Sequence, residues 1–226
     1  MDEYYSRYFE PLCNSGANGW GSAKFHKNIE KVWNNKNPKR VLEVGAGSGN
    51  HLKFCRDLNP KELIEYVALD LRDQKELLPD VRVMGFPVTW VVANIQTIPF
   101  SDSRFDRVIS TCLFHHLDDP YAAFLELRRV TSNGGEISIG MPTDPGIANQ
   151  TVKKLLTFRK AKKLGMENPK FIYSLEHGNH FLGLIRILRE VHKHDQVSIS
   201  YWPLKIPNWH LNLSANIHII VDKSLD

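Results

Sequence analysis

The feature that most constrains this chain is Val41-Leu42-Glu43-Val44-Gly45-Ala46-Gly47-Ser48-Gly49. A short apolar run carries one carboxylate and then breaks into three glycines on alternate positions. The residues that follow, His51 to Leu58, are predicted to form a helix. Strand, glycine turn and helix together make a nucleotide-cradling element, because the turn brings backbone amides close to the ligand. A hydride-transfer dinucleotide fold needs G-x-G-x-x-G, whose last glycine lets helix and strand pack closely. Asn50 occupies that last position, so the dinucleotide spacing fails. Glu43 is ill placed for a pyrophosphate and suits a cation or an amino group.

The chain around this element alternates between strands and helices. Short apolar strands are predicted at Tyr66–Asp70, Pro87–Ala93, Phe105–Ser110 and Glu136–Met141, with a helix at Tyr121–Val130 and a turn at Asn133-Gly134-Gly135. Such alternation implies an α/β fold with a parallel sheet covered on both faces. Before the glycine element, Phe25, Ile29, Val32 and Trp33 recur at helical spacing behind an aromatic-rich start (Tyr4, Tyr5, Tyr8, Phe9, Trp20). After Pro145-Gly146, a basic amphipathic helix is expected over Gln150–Leu164, a second around Leu184–Val191, and strands at Val197–Tyr201 and Ile217–Val221. The expectation is one domain: residues 1–38 an arm and helix laid on the core, 39–142 the ligand-binding core, 143–226 the remaining helices and last two strands.

Composition narrows the class. A chain of 226 residues can bury a full core, and a net charge of +4 is too weak to argue for nucleic acid. The three cysteines, Cys13, Cys55 and Cys112, lie far apart, with no His/Cys cluster at metal-binding spacing, so reduced thiols and no bound metal are expected. The first residues carry no secretory signal pattern, and no apolar run approaches the ~18 residues of a membrane span. A cytoplasmic location is the expectation.

Glu43 followed by Gly45-x-Gly47-x-Gly49 resembles the signature of the class I S-adenosylmethionine-dependent methyltransferases, as does an acidic residue, Asp70, closing the second strand. Asn94-Ile95-Gln96-Thr97-Ile98-Pro99-Phe100 is similar to the family's third motif, with Asn94 where an aspartate is usual. Two further matches are Phe105–Ser110 with Phe114-His115-His116-Leu117, and Leu127–Val130 with Asn133-Gly134-Gly135. The resemblance covers roughly 40–142. It implies a Rossmann-like methyltransferase fold with a mostly parallel seven-stranded sheet. It also implies S-adenosylmethionine as cofactor and S-adenosylhomocysteine as product. Glu43, Gly45, Ala46, Gly47, Gly49, Asp70, Leu71, Asn94, Ile95 and Thr111 are then the cofactor-binding residues. Asp70 accepts both ribose hydroxyls, a geometry that a two-oxygen carboxylate suits, and Asn94 meets the adenine amino group.

Methyl transfer from a sulfonium is an in-line displacement, so positioning matters most, and a base matters when the acceptor must lose a proton. His115 and His116 follow the fourth strand and are the candidate catalytic pair, with His115 nearer the strand end. His177 and Asn179, in the polar run Glu176-His177-Gly178-Asn179-His180, are candidates for lining an acceptor pocket. Asp118-Asp119 before Pro120 reads as a helix cap rather than a metal pair. The basic helix is a solvated face, or else meets an anionic acceptor such as a nucleotide-linked sugar or a membrane surface bearing a lipid-linked one. Nucleic-acid amino methylation requires an Asn/Asp-Pro-Pro-aromatic motif where this chain has Ser110-Thr111-Cys112-Leu113. The cytosine-C5 chemistry requires a Pro-Cys dipeptide, which is missing from the sequence. By elimination the expected partner is a small-molecule acceptor, with no nucleic acid. The alternatives are a non-catalytic cofactor-binding subunit and a nucleic-acid methyltransferase.

Overall fold

A computed structural model describes residues 16–31, 37–55, 62–73 and 85–224. Strands β1 (Arg40–Val44), β2 (Glu65–Asp70), β3 (Val88–Val92), β4 (Phe105–Thr111), β5 (Thr131–Pro142), β6 (Gln196–Trp202) and β7 (Ser214–Ile220) form one seven-stranded sheet in the order β3-β2-β1-β4-β5-β7-β6. Neighbours from β3 through β5 run parallel, and β7 runs antiparallel to both β5 and β6. The strand order turns back between β1 and β4. That reversal opens a crevice at the carboxyl ends of the strands, the place where open α/β sheets take ligands.

Side chains alternate across each strand, so the sheet has two separately packed faces. Leu42 and Val44 share one face with α2 (Pro120–Val130) and α6 (Phe181–Val191), whose Phe124, Leu127, Leu184 and Leu188 are buried against it. Val41, Tyr66 and Ile109 face the other way, toward Phe25 and Ile29 of α1 (Gly16–Glu30). α1 presses so closely on β5 that a Cβ added to Gly140 would lie 2.4 Å from both Phe25 and Ile29. Glycine at that strand position is what lets the helix dock.

Three local expectations are corrected, the first at Asn133-Gly134-Gly135, which lies within β5 and not in a turn before it. The helix predicted from His51 begins as a 3₁₀ turn at Leu52–Phe54, and 56–61 lie outside the described residues, as do Val32, Trp33, Cys13, Tyr4, Tyr5, Tyr8 and Phe9. The basic helix is α3 (Ile147–Val152), a π-helical stretch (Lys153–Thr157) and α4 (Phe158–Lys163) in succession. Its irregular middle turn is where the Lys153 side chain enters the interior. Helix α5 (Pro169–Glu176) was not anticipated, although its signals are present: Pro169 in the first turn and Asn168 accepting from Phe171 N–H.

Asp195 ties the far side together. It accepts from Arg128 Nε (2.9 Å), His192 Nδ1 (2.7 Å) and the backbone N–H of Asp222 (2.8 Å). Burial opposes its charge, but the bonds from His192, Arg128 and Asp222 outweigh that and hold its pKa at about 2. Because this pKa is depressed, the stabilisation is complete above the unfolded value near ~4 and is lost as pH falls toward about 2. Urea titrations should therefore show Asp195→Asn destabilised at neutral pH, with the gap to the parent narrowing between pH 4 and 2.

Candidate active site

The glycine turn after β1 adopts left-handed backbone at all three glycines, Gly45 (φ +68°), Gly47 (φ +52°) and Gly49 (φ +69°). Residues with a Cβ rarely occupy that region, which accounts for the alternate spacing. Gly45 and Ala46 N–H both donate to the Leu69 carbonyl, at 2.8 and 3.1 Å, so the turn is hung from the end of β2. A Cβ on Gly45 would strike Leu113 at 2.8 Å, whereas one on Gly47 would meet nothing within 4 Å. The turn is thus packed beneath its first glycine and open above its second, a cradle that backbone alone lines.

Asp70 stands at the edge of that cradle. Its Oδ2 accepts from Gly47 N–H (2.9 Å) and its Oδ1 from Arg72 N–H (3.1 Å). Each oxygen keeps a lone pair, so the carboxylate is both oriented and able to accept a diol. Leu71 beside it is 69% exposed, an apolar surface at the cradle's rim, and Ile95 and Ala46 are buried nearby in the chain's packing. Asn94 is exposed, and its Oδ1 accepts from Gln96 N–H (2.9 Å), capping the 3₁₀ turn Ile95–Thr97. Thr111 is half-buried at the end of β4, beside Cys112 in left-handed backbone (φ +53°).

Glu43 lies elsewhere. It projects from β1 to the α1 side of the sheet, is 1% exposed, and accepts from Tyr66 Oη–H at 2.8 Å. Burial pushes its pKa up, against the pull of His51 and the Tyr66 hydrogen bond. It belongs to a buried polar chain under the glycine turn that sequence reading missed. Glu30, from the end of α1, takes Arg107 of β4 bidentately (2.7 and 3.1 Å) and His51 Nε2 at 2.9 Å. Burial opposes the Glu30 charge, yet His51 and Arg107 outweigh it and hold the pKa at about 2. Burial likewise opposes a charge on His51, but the Cys55 sulfur, Glu30 and Glu43 lift its pKa to about 10. His26 is held down to about 3 by burial and by neighbouring His51, so it stays neutral and accepts from His51 Nδ1 at 3.0 Å. The signal for this chain was Arg107, a charged residue inside an apolar strand.

On the other side of the crevice the fold gathers three imidazoles. The His115 and His116 ring centroids are 4.1 Å apart, and His177 lies 4.3 Å from the first and 4.8 Å from the second. Burial pushes all three pKa values down, that of His177 to about 2, so the rings are neutral. His116 Nδ1 donates to the Glu176 carbonyl (2.7 Å), which leaves its Nε2 as an acceptor. The Tyr173 ring lies tilted against His177, centroids 3.7 Å apart, and its hydroxyl lies within reach of Lys153 and Asp144, themselves paired at 2.9 Å. Asn179 does not join the ring cluster with its amide group. Its Nδ2 donates to the carbonyls of Leu117 (2.6 Å) and Phe114 (3.3 Å), clamping the turn that carries His115 and His116. Asp119 accepts from Ala122 N–H and caps α2.

Replacing Glu30 with Ala would leave the Arg107 guanidinium and the His51 imidazolium buried without their shared carboxylate. Removing one partner of a buried ion pair costs about 3–5 kcal/mol. Chemical denaturation of Glu30→Ala should show a loss of that order, and a change under 1 kcal/mol would contradict this account of the network.

Residues 42–139 match a family model described as a methyltransferase domain. A tRNA U34 carboxymethyltransferase of Nautilia profundicola is 26% identical over 119 residues, 52% of this chain and 37% of that protein. A demethylmenaquinone methyltransferase of Renibacterium salmoninarum is 28% identical over 112 residues, 47% of this chain and 43% of that protein. The matched region is thus less than half the length of either relative. Among solved structures, a Pyrococcus horikoshii protein superposes with a TM-score of 0.64 at 14% identity, covering 98% of this chain and all of that one, which shows the shared fold. Residues 42–139 thus match a methyltransferase domain, and the strand order, the left-handed glycine cradle and Asp70 at its rim agree with the class I S-adenosylmethionine-dependent methyltransferases, whose cofactor is S-adenosylmethionine.

Proposed function

We propose that the protein transfers the methyl group of S-adenosylmethionine to an oxygen or nitrogen of a small molecule held beside His115, His116 and His177. The observation that carries this reading is the juxtaposition at one end of the sheet. The open glycine cradle with Asp70 follows β1 and β2, and the neutral imidazole cluster follows β4. In that arrangement Asp70 takes the ribose hydroxyls, Asn94, Leu71 and Ile95 border the adenine, and Ala46, Gly47, Gly49 and Thr111 border the rest of the cofactor. Glu43 serves from beneath, by holding Tyr66 and, through His51, the base of the cradle.

The reaction is an in-line displacement. The acceptor's lone pair attacks the methyl carbon, the carbon–sulfur bond breaks, and the neutral thioether of S-adenosylhomocysteine departs. Holding the two reactants at near-attack distance supplies up to roughly 7–11 kcal/mol. A hydroxyl acceptor also gives up a proton, and the imidazole best arranged to take it is His116, whose Nδ1–H is fixed by the Glu176 carbonyl. A cleft of about 510 Å³ along α4 and α5, where Lys154, Arg159, Lys162 and Lys170 outnumber the one carboxylate of Glu167, supports an anionic group on the acceptor, such as a linked phosphate. No helix among the described residues is long and apolar enough to cross a membrane. The buried, unoxidised Cys55 thiol supports work in the cytoplasm. We read the whole chain as one unit, with 1–38 the arm, 39–142 the cofactor core and 143–226 the acceptor side.

Asp70→Ala removes charge-assisted hydrogen bonds worth about 1.5–3 kcal/mol each. Calorimetry should show affinity for S-adenosylhomocysteine falling at least tenfold, and an unchanged affinity would sink the assignment. Radiolabel transfer from S-adenosylmethionine across sugars, nucleotide-linked sugars, quinols and tRNA should label a small molecule. Labelling of tRNA alone would replace this acceptor class, and cofactor binding without any transfer would favour a non-catalytic subunit.

A further inference from the structure

We propose that His115, His116 and His177 bind a divalent transition-metal ion of the zinc type, with one coordination position open toward the acceptor. The spacing along the chain conceals this, because two ligands are adjacent and the third comes from the end of α5. In space, one ring nitrogen from each histidine lies within 4.8 Å of the others. A tetrahedral ion with metal–nitrogen bonds of about 2.0–2.1 Å sets its ligands about 3.3 Å apart, so modest side-chain rotations close the site.

Three further observations point to a ligand there. His115 is 4% exposed and His177 half-buried, yet the Nδ1 of each is enclosed without a hydrogen-bond partner. Buried ring nitrogens that bond to nothing are costly in a folded protein, and two of them in one cluster call for a shared occupant. His116 is already arranged as metal-ligating histidines are, its Nδ1–H given to a backbone carbonyl so that Nε2 points free. Lys153, whose charge acts on His115 and His177, is paired with Asp144 at 2.9 Å.

The donor set selects the ion. Three imidazoles with no carboxylate suit zinc, copper, iron or nickel and not magnesium or calcium. Three histidines with a vacant fourth place are also the arrangement of a catalytic rather than a structural zinc site. The consequence for chemistry rests on the proposed function. A hydroxyl oxygen of the acceptor would take the fourth position and ionise there, its proton passing to water, before the methyl group moves onto it. The ion would then replace His116 as the means of activating the acceptor.

The test uses tag-free, full-length protein stripped with a chelator and titrated with Co²⁺. Expected is one Co²⁺ per chain with the visible absorption of tetrahedral coordination, displaced by an equivalent of Zn²⁺. His116→Ala and His177→Ala should each weaken binding at least 10–100-fold, the range seen even for outer-shell changes. Absent saturable binding, or binding in either variant as tight as in the parent, overturns the proposal. Should a variant fail to fold by circular dichroism, the parent decides: Zn²⁺ must raise its unfolding midpoint, and an unmoved midpoint overturns the site. S-adenosylhomocysteine calorimetry on the stripped protein separates the two readings. Cofactor binding without Co²⁺ binding ends the metal proposal alone, whereas Co²⁺ binding without cofactor binding supports the metal site and ends the proposed function.

Discussion

The carboxylate of Glu30 is the interaction on which the rest of the cofactor side depends. It is one buried anion shared by two cations, Arg107 from β4 and His51 from the turn that follows the glycines. Three pieces of chain that meet nowhere else in sequence are thereby fixed to one another: the end of α1, the middle of the sheet and the floor of the cradle. The charges are affordable in the interior because each is hydrogen-bonded as well as paired. Neutral His26 accepts the remaining His51 proton, and Tyr66 satisfies Glu43 alongside. The glycine turn is rigid from below and open above, as a preorganised binding loop should be.

Much of the fold was legible because its signals are local. Short apolar runs marked β1 to β4 within a residue or two of their observed bounds, whereas β5 begins five residues before the expected Glu136 and takes in Asn133-Gly134-Gly135. The three alternating glycines marked the turn after β1, and the structure gives the local reason, left-handed backbone at Gly45, Gly47 and Gly49. What escaped was the part set by distant contacts. Arg107 in Phe105-Asp106-Arg107-Val108 was given no role of its own, because its meaning lay in Glu30, 77 residues away. Glu43 was read for its sequence distance from the glycines, yet strand alternation turns it to the α1 side and away from the open cradle. The short helix α5 was hidden by its length, although its cap and proline were visible.

The acceptor side shows the same division. His115 and His116 were conspicuous as a pair, and His177 as part of a polar run, but their convergence required α5 to fold back over the β4 turn. Asn179 was expected to line a pocket and is engaged instead in holding that turn, its side-chain donors spent on the carbonyls of Leu117 and Phe114. The rings are kept neutral by burial, a state that serves proton acceptance and metal ligation alike. The chemistry of this half therefore belongs to placement: three imidazoles brought together by elements that touch only in the folded chain.

The central claim is that one crevice joins a cofactor cradle to this histidine cluster. The most direct measurement is a crystal structure of the protein with S-adenosylhomocysteine. The account predicts the ribose hydroxyls on Asp70, the nucleoside over the glycine turn, and the thioether sulfur facing the His115, His116 and His177 rings. A ligand bound with its sulfur turned away from the three rings, or seated outside the glycine turn, would contradict it.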